Sequence, residues 1–263
     1  VSGEGSLYTN VTGRQIFCRK STNFVFRAEN GGKRSYLMKY DGITGDILFL
    51  AAQNKFNNSR EFYEEHKEEL KQGFTVPMRQ IAAHVVSQIG DIDDKMMTDP
   101  VKMVCRFFRD TRYSKFKNLY RDNLWIMFMR NKHEWENYPC MWFEVTQDYW
   151  SYGVGMFRTD ATYLELYRKA LIERPDEFLK AVADVEKTGA EYCPELYKKR
   201  KPGDPIPEIE PYYDIKDMFF MRKRTDFKTL ESEALLDELT EIYKNFSGMY
   251  TFLKSVSDER MML

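Results

Sequence analysis

The stretch Cys140-Met-Trp-Phe-Glu-Val-Thr-Gln-Asp-Tyr-Trp-Ser-Tyr-Gly-Val-Gly-Met-Phe157 decides the fold. Two runs rich in Val, Phe, Trp and Tyr, 140–146 and 149–157, flank a polar break. That break suits an antiparallel turn and is far too short for a parallel crossover. Residues 102–108 and 123–130 upstream have the same character, again with short polar links. Four such segments in succession predict an antiparallel meander rather than βαβ units.

Helical patterns lie on both sides. Residues 47–56 are apolar, and Asn57-Asn58-Ser59 offers caps for a helix over 59–74, with Phe62, His66, Leu70 and Phe74 turn-spaced. Pro77 opens a further amphipathic run, Met78, Ile81, Ala82, Val85 and Ile89, which ends at Gly90. Residues 91–100 read as an acidic loop. Past the sheet, Asp160 caps a helix to 172 and Pro175 opens one to 187. The proline-bearing stretch 198–213 reads as extended loop, and 230–246 as a last helix with Leu235, Leu236, Leu239, Ile242 and Tyr243. Helices, sheet, then helices predict an α+β fold, a single domain over 38–263 in which an antiparallel sheet packs against several helices.

Residues 1–37 differ from the rest. Segments 14–20 and 23–28 read as short strands, and Glu29-Asn-Gly-Gly32 as a turn. They are either a β-hairpin arm or the product of a mis-assigned gene start, with Met38 the true first residue.

At 43% hydrophobic and 31% charged, the chain of 263 residues reads as globular rather than disordered. Its 40 Lys and Arg nearly balance 41 Asp and Glu, which argues against nucleic acid as a partner and confines any electrostatic role to a local patch. No apolar run reaches membrane-spanning length. Cys18, Cys105, Cys140 and Cys193 are scattered, with neither CxxC nor zinc-ligand spacing, which suits reduced thiols in a cytoplasmic protein. His66, His84 and His133 form no metal pair, so no metal is expected. The sequence names no cofactor, catalytic nucleophile or oligomeric state.

Against that balance one segment stands out, Arg106-Phe-Phe-Arg-Asp-Thr-Arg-Tyr-Ser-Lys-Phe-Lys-Asn-Leu-Tyr-Arg121. It carries six cations, Arg106, Arg109, Arg112, Lys115, Lys117 and Arg121, and one acid, Asp110. Arginine offers a planar donor fork for phosphate or carboxylate, and lysine a point charge. Tyr113, Phe116 and Tyr120 supply rings beside them for a base or sugar. The expected site is Arg109, Asp110, Arg112, Tyr113, Lys115, Lys117, Tyr120 and Arg121, joined by Arg60, and its expected partner is a small anion. Two alternatives stay open: an enzyme acting on a phosphorylated small molecule, or a protein- or nucleic-acid-interaction module. The competing structural reading is an ion-pair cluster in which Asp110 holds Arg109 and Arg112. For 57–67, helix capping competes with anion binding by Arg60 and Lys67.

Asn57-Asn-Ser-Arg-Glu-Phe-Tyr-Glu-Glu-His-Lys67 resembles the Asn-Asn-x-Arg-Glu-Trp-Phe-x-x-x-Lys opening of a widespread, mainly bacterial family, domain of unknown function 2461. Arg109-Asp-Thr-Arg-Tyr-Ser-Lys-Phe-Lys-Asn-Leu-Tyr-Arg121 resembles its Arg-Asp-x-Arg-Phe-Ser-Lys-Asp-Lys-Thr-Pro-Tyr-Lys centre. The resemblance runs over 46–255. It departs at Phe116, where the family has Asp, at Asn118-Leu119 in place of Thr-Pro, and at a glycine-poorer 152–155. It implies a shared fold and a shared site, and no particular activity. Mass spectrometry of the natively expressed protein tests the gene-start reading, which a single peptide from 1–37 removes.

Overall fold

A computed structural model gives residues 40–112, 118–131, 134, 138–157 and 159–263 in full, and 6–9 and 15–18 as backbone. The quoted stretch forms a hairpin. β3 (Leu124–Phe128), β4 (Cys140–Val145) and β5 (Trp150–Met156) pair antiparallel in chain order. The β4–β5 turn is held by Thr146, whose Oγ1 accepts from the Asp148 and Tyr149 amides at 3.1 and 3.0 Å. Two strands beyond the expected set complete the sheet. β7 (Ile215–Arg224) pairs with β5, and β6 (Glu191–Leu196) lies outside it, giving the order β3-β4-β5-β7-β6. Pro194 obscures β6 in the sequence, and an edge strand is where a sheet tolerates proline.

The expected strand at 102–108 is absent. Asp99 accepts from the Val101 amide at 3.0 Å and starts the short helix α4 (Pro100–Met103). An Asp-Pro helix start outweighs the β propensity of the residues that follow. Only isolated bridges remain, Val104 to Ile126 and Phe108 to Tyr120.

Gly153 and Gly155 have a packing role. A Cβ at 153 would stand 2.2 Å from the Trp142 ring and 2.5 Å from the Phe220 carbonyl, so the indole lies flat where a side chain would be. This Gly-x-Gly serves ring and strand approach, not phosphate.

The core is built on α7 (Ala234–Arg260), which packs on α3 (Val76–Ile89), α5 (Ala161–Glu173), α6 (Pro175–Glu186), β4 and β5. It starts four residues later than the expected 230–246, after a 3-10 turn, Phe227–Glu231, and outruns it at the other end, continuing through Gly248 to Arg260. Burial of Met249, Tyr250, Phe252, Leu253 and Val256 overrides the poor helix propensity of Ser247-Gly248.

At the other end, α1 (Gly45–Asn57) is followed by α2 (Arg60–Leu70), then a π turn, Lys71–Thr75, which runs into α3. The sequence suggests a break before Pro77. The π turn instead carries the helix across, with the Val76 amide bonded five residues back to Lys71. It leaves Phe74 fully buried beneath Phe107, ring centroids 5.7 Å apart.

The chain divides into two units, Val1–Lys39 and Tyr40–Leu263. In the first, β1 (Ser6–Thr9) pairs antiparallel with β2 (Gln15–Cys18). The expected strand at 14–20 overlaps β2, whereas 23–28 and the turn at 29–32 lie outside the described residues.

Two opposite charges are among the buried polar residues of the second unit. Asp93 accepts from Arg130 Nε at 2.7 Å, Arg130 Nη2 at 3.1 Å and the Tyr250 hydroxyl at 2.9 Å, and both charged side chains are buried. Burial pushes the Asp93 carboxyl up, but Arg130, the Lys95 amide and Tyr250 outweigh it and hold it below the usual range. A depressed folded pKa contributes stability above the unfolded value of about 3.9, and that stability is lost as pH falls through the folded value. Asp93→Ala leaves Arg130 buried without this partner. It should cost about 3–5 kcal/mol in urea unfolding at neutral pH, and it should shrink the loss of stability that the wild type shows below about pH 4.

Candidate anion site

The site begins with the buried stripe of α1, Ile47, Leu50, Ala51 and Asn54. One turn on, Asn58 adopts φ 49°, the one positive φ outside glycine among the described residues, and its amide donates to the Asn54 carbonyl at 3.0 Å. Asparagine tolerates this left-handed cap better than most residues. Ser59 then caps α2, accepting from the Phe62 amide at 3.1 Å. Adjacent residues thus end one helix and start the next. The Asn58 side chain has a further task, for its Oδ1 accepts from the Leu119 amide at 2.7 Å. Lys55 reaches the same strand, 2.8 Å from Asp122.

These two contacts hold the return limb of the basic segment. Its limbs form a short ribbon, with the Arg109 amide on the Leu119 carbonyl at 2.8 Å and the Arg121 amide on the Phe107 carbonyl at 2.9 Å. With Phe108 opposite Tyr120, Arg109 and Arg121 become diagonal neighbours on one side of the ribbon. Arg121 lies over the Trp125 ring, 4.5 Å from its centroid, with its Nε buried and unpartnered. Burial lowers its pKa, Cys105 opposes that, and the Arg109 charge reinforces it. It remains a cation, since arginine starts near 12.5. Among the described residues no carboxylate pairs with Arg60, Arg106, Arg109 or Arg121.

Other expected residues fall differently. Arg112 turns back on Asp110, with Nε 3.0 Å from Oδ1 and Nη2 2.6 Å from Oδ2, so this pair forms the local ion pair. Tyr120 is no open platform for a base: it is fully buried, its ring stacked on Tyr63 at 4.8 Å and tilted against Phe108 at 4.7 Å. Burial first, then Tyr63, raises its phenol, and Arg60 pulls it down, which places Arg60 within electrostatic reach of that hydroxyl. Lys67 pairs with Glu64 at 3.1 Å on the exposed face of α2. Tyr113, Lys115, Phe116 and Lys117 lie outside the described residues.

Cys105 accepts from the Trp125 amide at 3.2 Å, and burial pushes its thiol up to about 11, so it is protonated at neutral pH and poorly nucleophilic. Among the described residues, no group of three His, Cys, Asp or Glu is placed to hold a metal. A groove of about 440 Å³ lined by Glu165, Arg168, Lys169, Ile172, Glu173 and Tyr213 shares no residue with the basic ribbon, and its Lys169 is engaged by Glu259 at 2.9 Å.

The contact between 54–58 and 119–122 joins the two stretches that carry the family resemblance. A family model described as conserved hypothetical protein (DUF2461) matches residues 47–252. The chain belongs to the DUF2461 family. No curated protein and no solved structure matches it. For this DUF2461 protein, sequence reasoning missed Asn54, Lys55, Asp122 and Trp125. Asn54 left a signal, a carboxamide at a position where the apolar stripe of α1 calls for a hydrophobic side chain.

Asn58→Gly keeps the left-handed cap but removes the acceptor for Leu119. It should cost about 1 kcal/mol in urea unfolding, and hydrogen exchange should speed up at the Leu119 amide while the α1 amides hold. Uniform acceleration across α1 would show that the side chain serves only the cap.

Proposed function

We propose that the protein binds a small anionic ligand, phosphate- or carboxylate-bearing, at the Arg109–Arg121 pair of the basic ribbon. The observation that carries this reading is two neighbouring guanidinium groups with no carboxylate partner among the described residues. Several other arginines are met by acids, Arg130 by Asp93 and Asp258, Arg224 by Asp226 and Glu238, and Arg260 by Asp160, while Arg79 and Arg168 have no acid partner among the described residues. Like charges that are brought together and partly desolvated repel, and an anion between them relieves both costs. Arg121 adds directionality, since its plane is set by Trp125 and a fixed fork suits two oxygens at once. Arg60 adds charge at the start of α2, where the helix end itself favours an anion.

We also read the protein as cytoplasmic and bacterial. Cys105, Cys140 and Cys193 are free thiols, which suits a reducing compartment, and no helix among the described residues is long and apolar enough to cross a membrane. The near balance of charge favours a small ligand over nucleic acid.

Titration calorimetry with inorganic phosphate at low salt tests the site. Arg109→Ala and Arg121→Ala should each weaken binding about ten-fold or more. Arg112→Ala, whose guanidinium is already held by Asp110, should change it by less than about three-fold. Equal losses in all three variants would place the anion elsewhere on the segment.

A further inference from the structure

The groove of about 440 Å³ lies between α5 and the proline-bearing stretch 198–213, and it brings charges of both signs around one hollow. Its near wall is one side of α5, where Glu165, Arg168, Lys169, Ile172 and Glu173 recur at turn spacing. Its far wall is Pro202 and Tyr213. Hydrogen bonds fix that wall: the Tyr167 hydroxyl of α5 donates to the Tyr212 carbonyl at 3.3 Å, and the Tyr213 hydroxyl to the Pro202 carbonyl at 2.8 Å. The charges do not pair as their spacing allows. Glu165 stands three residues before Arg168 and four before Lys169, and Lys169 four before Glu173, all favourable helical intervals. Lys169 is instead engaged by Glu259 at 2.9 Å. Among the described residues Glu165, Arg168 and Glu173 have no ion-pair partner, and Arg168 Nη1 is buried without a hydrogen bond. Exposed carboxylates lose little by standing alone, whereas a buried guanidinium nitrogen without a partner is costly.

We propose that this groove is a second binding site, for an α-amino acid with an apolar side chain. Its carboxylate meets Arg168, its ammonium meets Glu165, and its side chain lies against Ile172, Pro202 and Tyr213. The site shares no residue with the basic ribbon and stands independently of the anion-binding reading. The mixture of charges selects the ligand. A phosphate or a dicarboxylate is repelled by Glu165 and Glu173, and a simple cation by Arg168 and Lys169, whereas a zwitterion meets both signs. Side chains three apart on a helix have Cβ atoms about 5–6 Å apart, a span that an ammonium and a carboxylate on one carbon can bridge. The guanidinium fork takes both carboxylate oxygens at once. Ile172 is 46% exposed, so the apolar end of the ligand would cover a hydrophobic side chain now left to water. The volume of the groove lies within the ordinary range of small-molecule sites.

Titration calorimetry of the full chain with L-leucine and L-phenylalanine tests this. Each is compared with its N-acetyl form, which lacks the ammonium, and its amide, which lacks the carboxylate. At least one free amino acid should bind, and either cap should weaken it about ten-fold or more. Arg168→Ala should bring that amino acid down to the affinity of its amide, and Glu165→Gln down to that of its N-acetyl form. Should Arg168→Ala fail to fold, Glu165→Gln, a change at an exposed position, carries the test alone. No binding of either free amino acid would overturn the inference. Capped and free forms binding equally would overturn it too, as would affinities that neither substitution moves.

Discussion

The Asn58 carboxamide is the contact on which the candidate site depends. Its oxygen, 2.7 Å from the Leu119 amide, fastens a polar segment to the end of an apolar helix. The same residue ends that helix in a left-handed turn, and Ser59 at once begins the next. The angle between α1 and α2, the register of the Phe107–Arg109 ribbon and the placement of Arg121 thus share one pivot. Tyr63, on the first turn of α2, then lies flat on Tyr120 and closes the ribbon from the other side. The two stretches that mark the family in sequence are in contact, and that contact is why spacing alone could not join them.

Charge is distributed unevenly between the two arginine clusters of this molecule. Arg130 is more deeply buried than Arg121, yet it has Asp93, Asp258 and the ring of Tyr138, 3.7 Å from its guanidinium. That arrangement pairs the charges and serves stability, because removing either one strands the other, although Arg130 Nη1 is left without a hydrogen-bond partner. Arg121 has an aromatic ring and a second arginine instead of an acid. Both clusters sit at ends of β3, which supplies Arg130 just past its last residue and Arg121 just before its first. One end of the strand is anchored and the other is left with unspent charge.

The strand pairs that a short turn can close were readable, since only residues 146–149 separate β4 from β5, too few for a parallel crossover. What escaped the sequence depends on partners distant in the chain. β6 hides behind Pro194 and β7 ends in Arg222-Lys223-Arg224, so neither reads as a strand without the sheet edge that receives it. Residues 102–108 carry the composition of a strand, but Asp99-Pro100 spends their start on a helical turn. Within the site, the cations were legible as a cluster and their roles were not. Whether an arginine meets an acid two residues away, as Arg112 does, or an arginine across a ribbon, as Arg109 does, is settled by backbone register. Asn54 is the converse case, a polar residue made conspicuous by the apolar positions around it.

The unpaired arrangement also says where ligand binding and folding stability meet. Held close, Arg109 and Arg121 oppose the folded state, and the unpartnered amide of Asn54 adds to that opposition. The fold tolerates this because α7 and the sheet bury an apolar core to which the ribbon contributes little beyond Phe107. A ligand that neutralises the pair binds the folded chain and not the unfolded one, so its binding energy appears as added stability in proportion to the logarithm of its concentration. Under the proposed binding, the same linkage would make the ribbon the part of the fold most responsive to that ligand. The Asp93–Arg130 cluster, whose charges are already paired, has no corresponding gain to make.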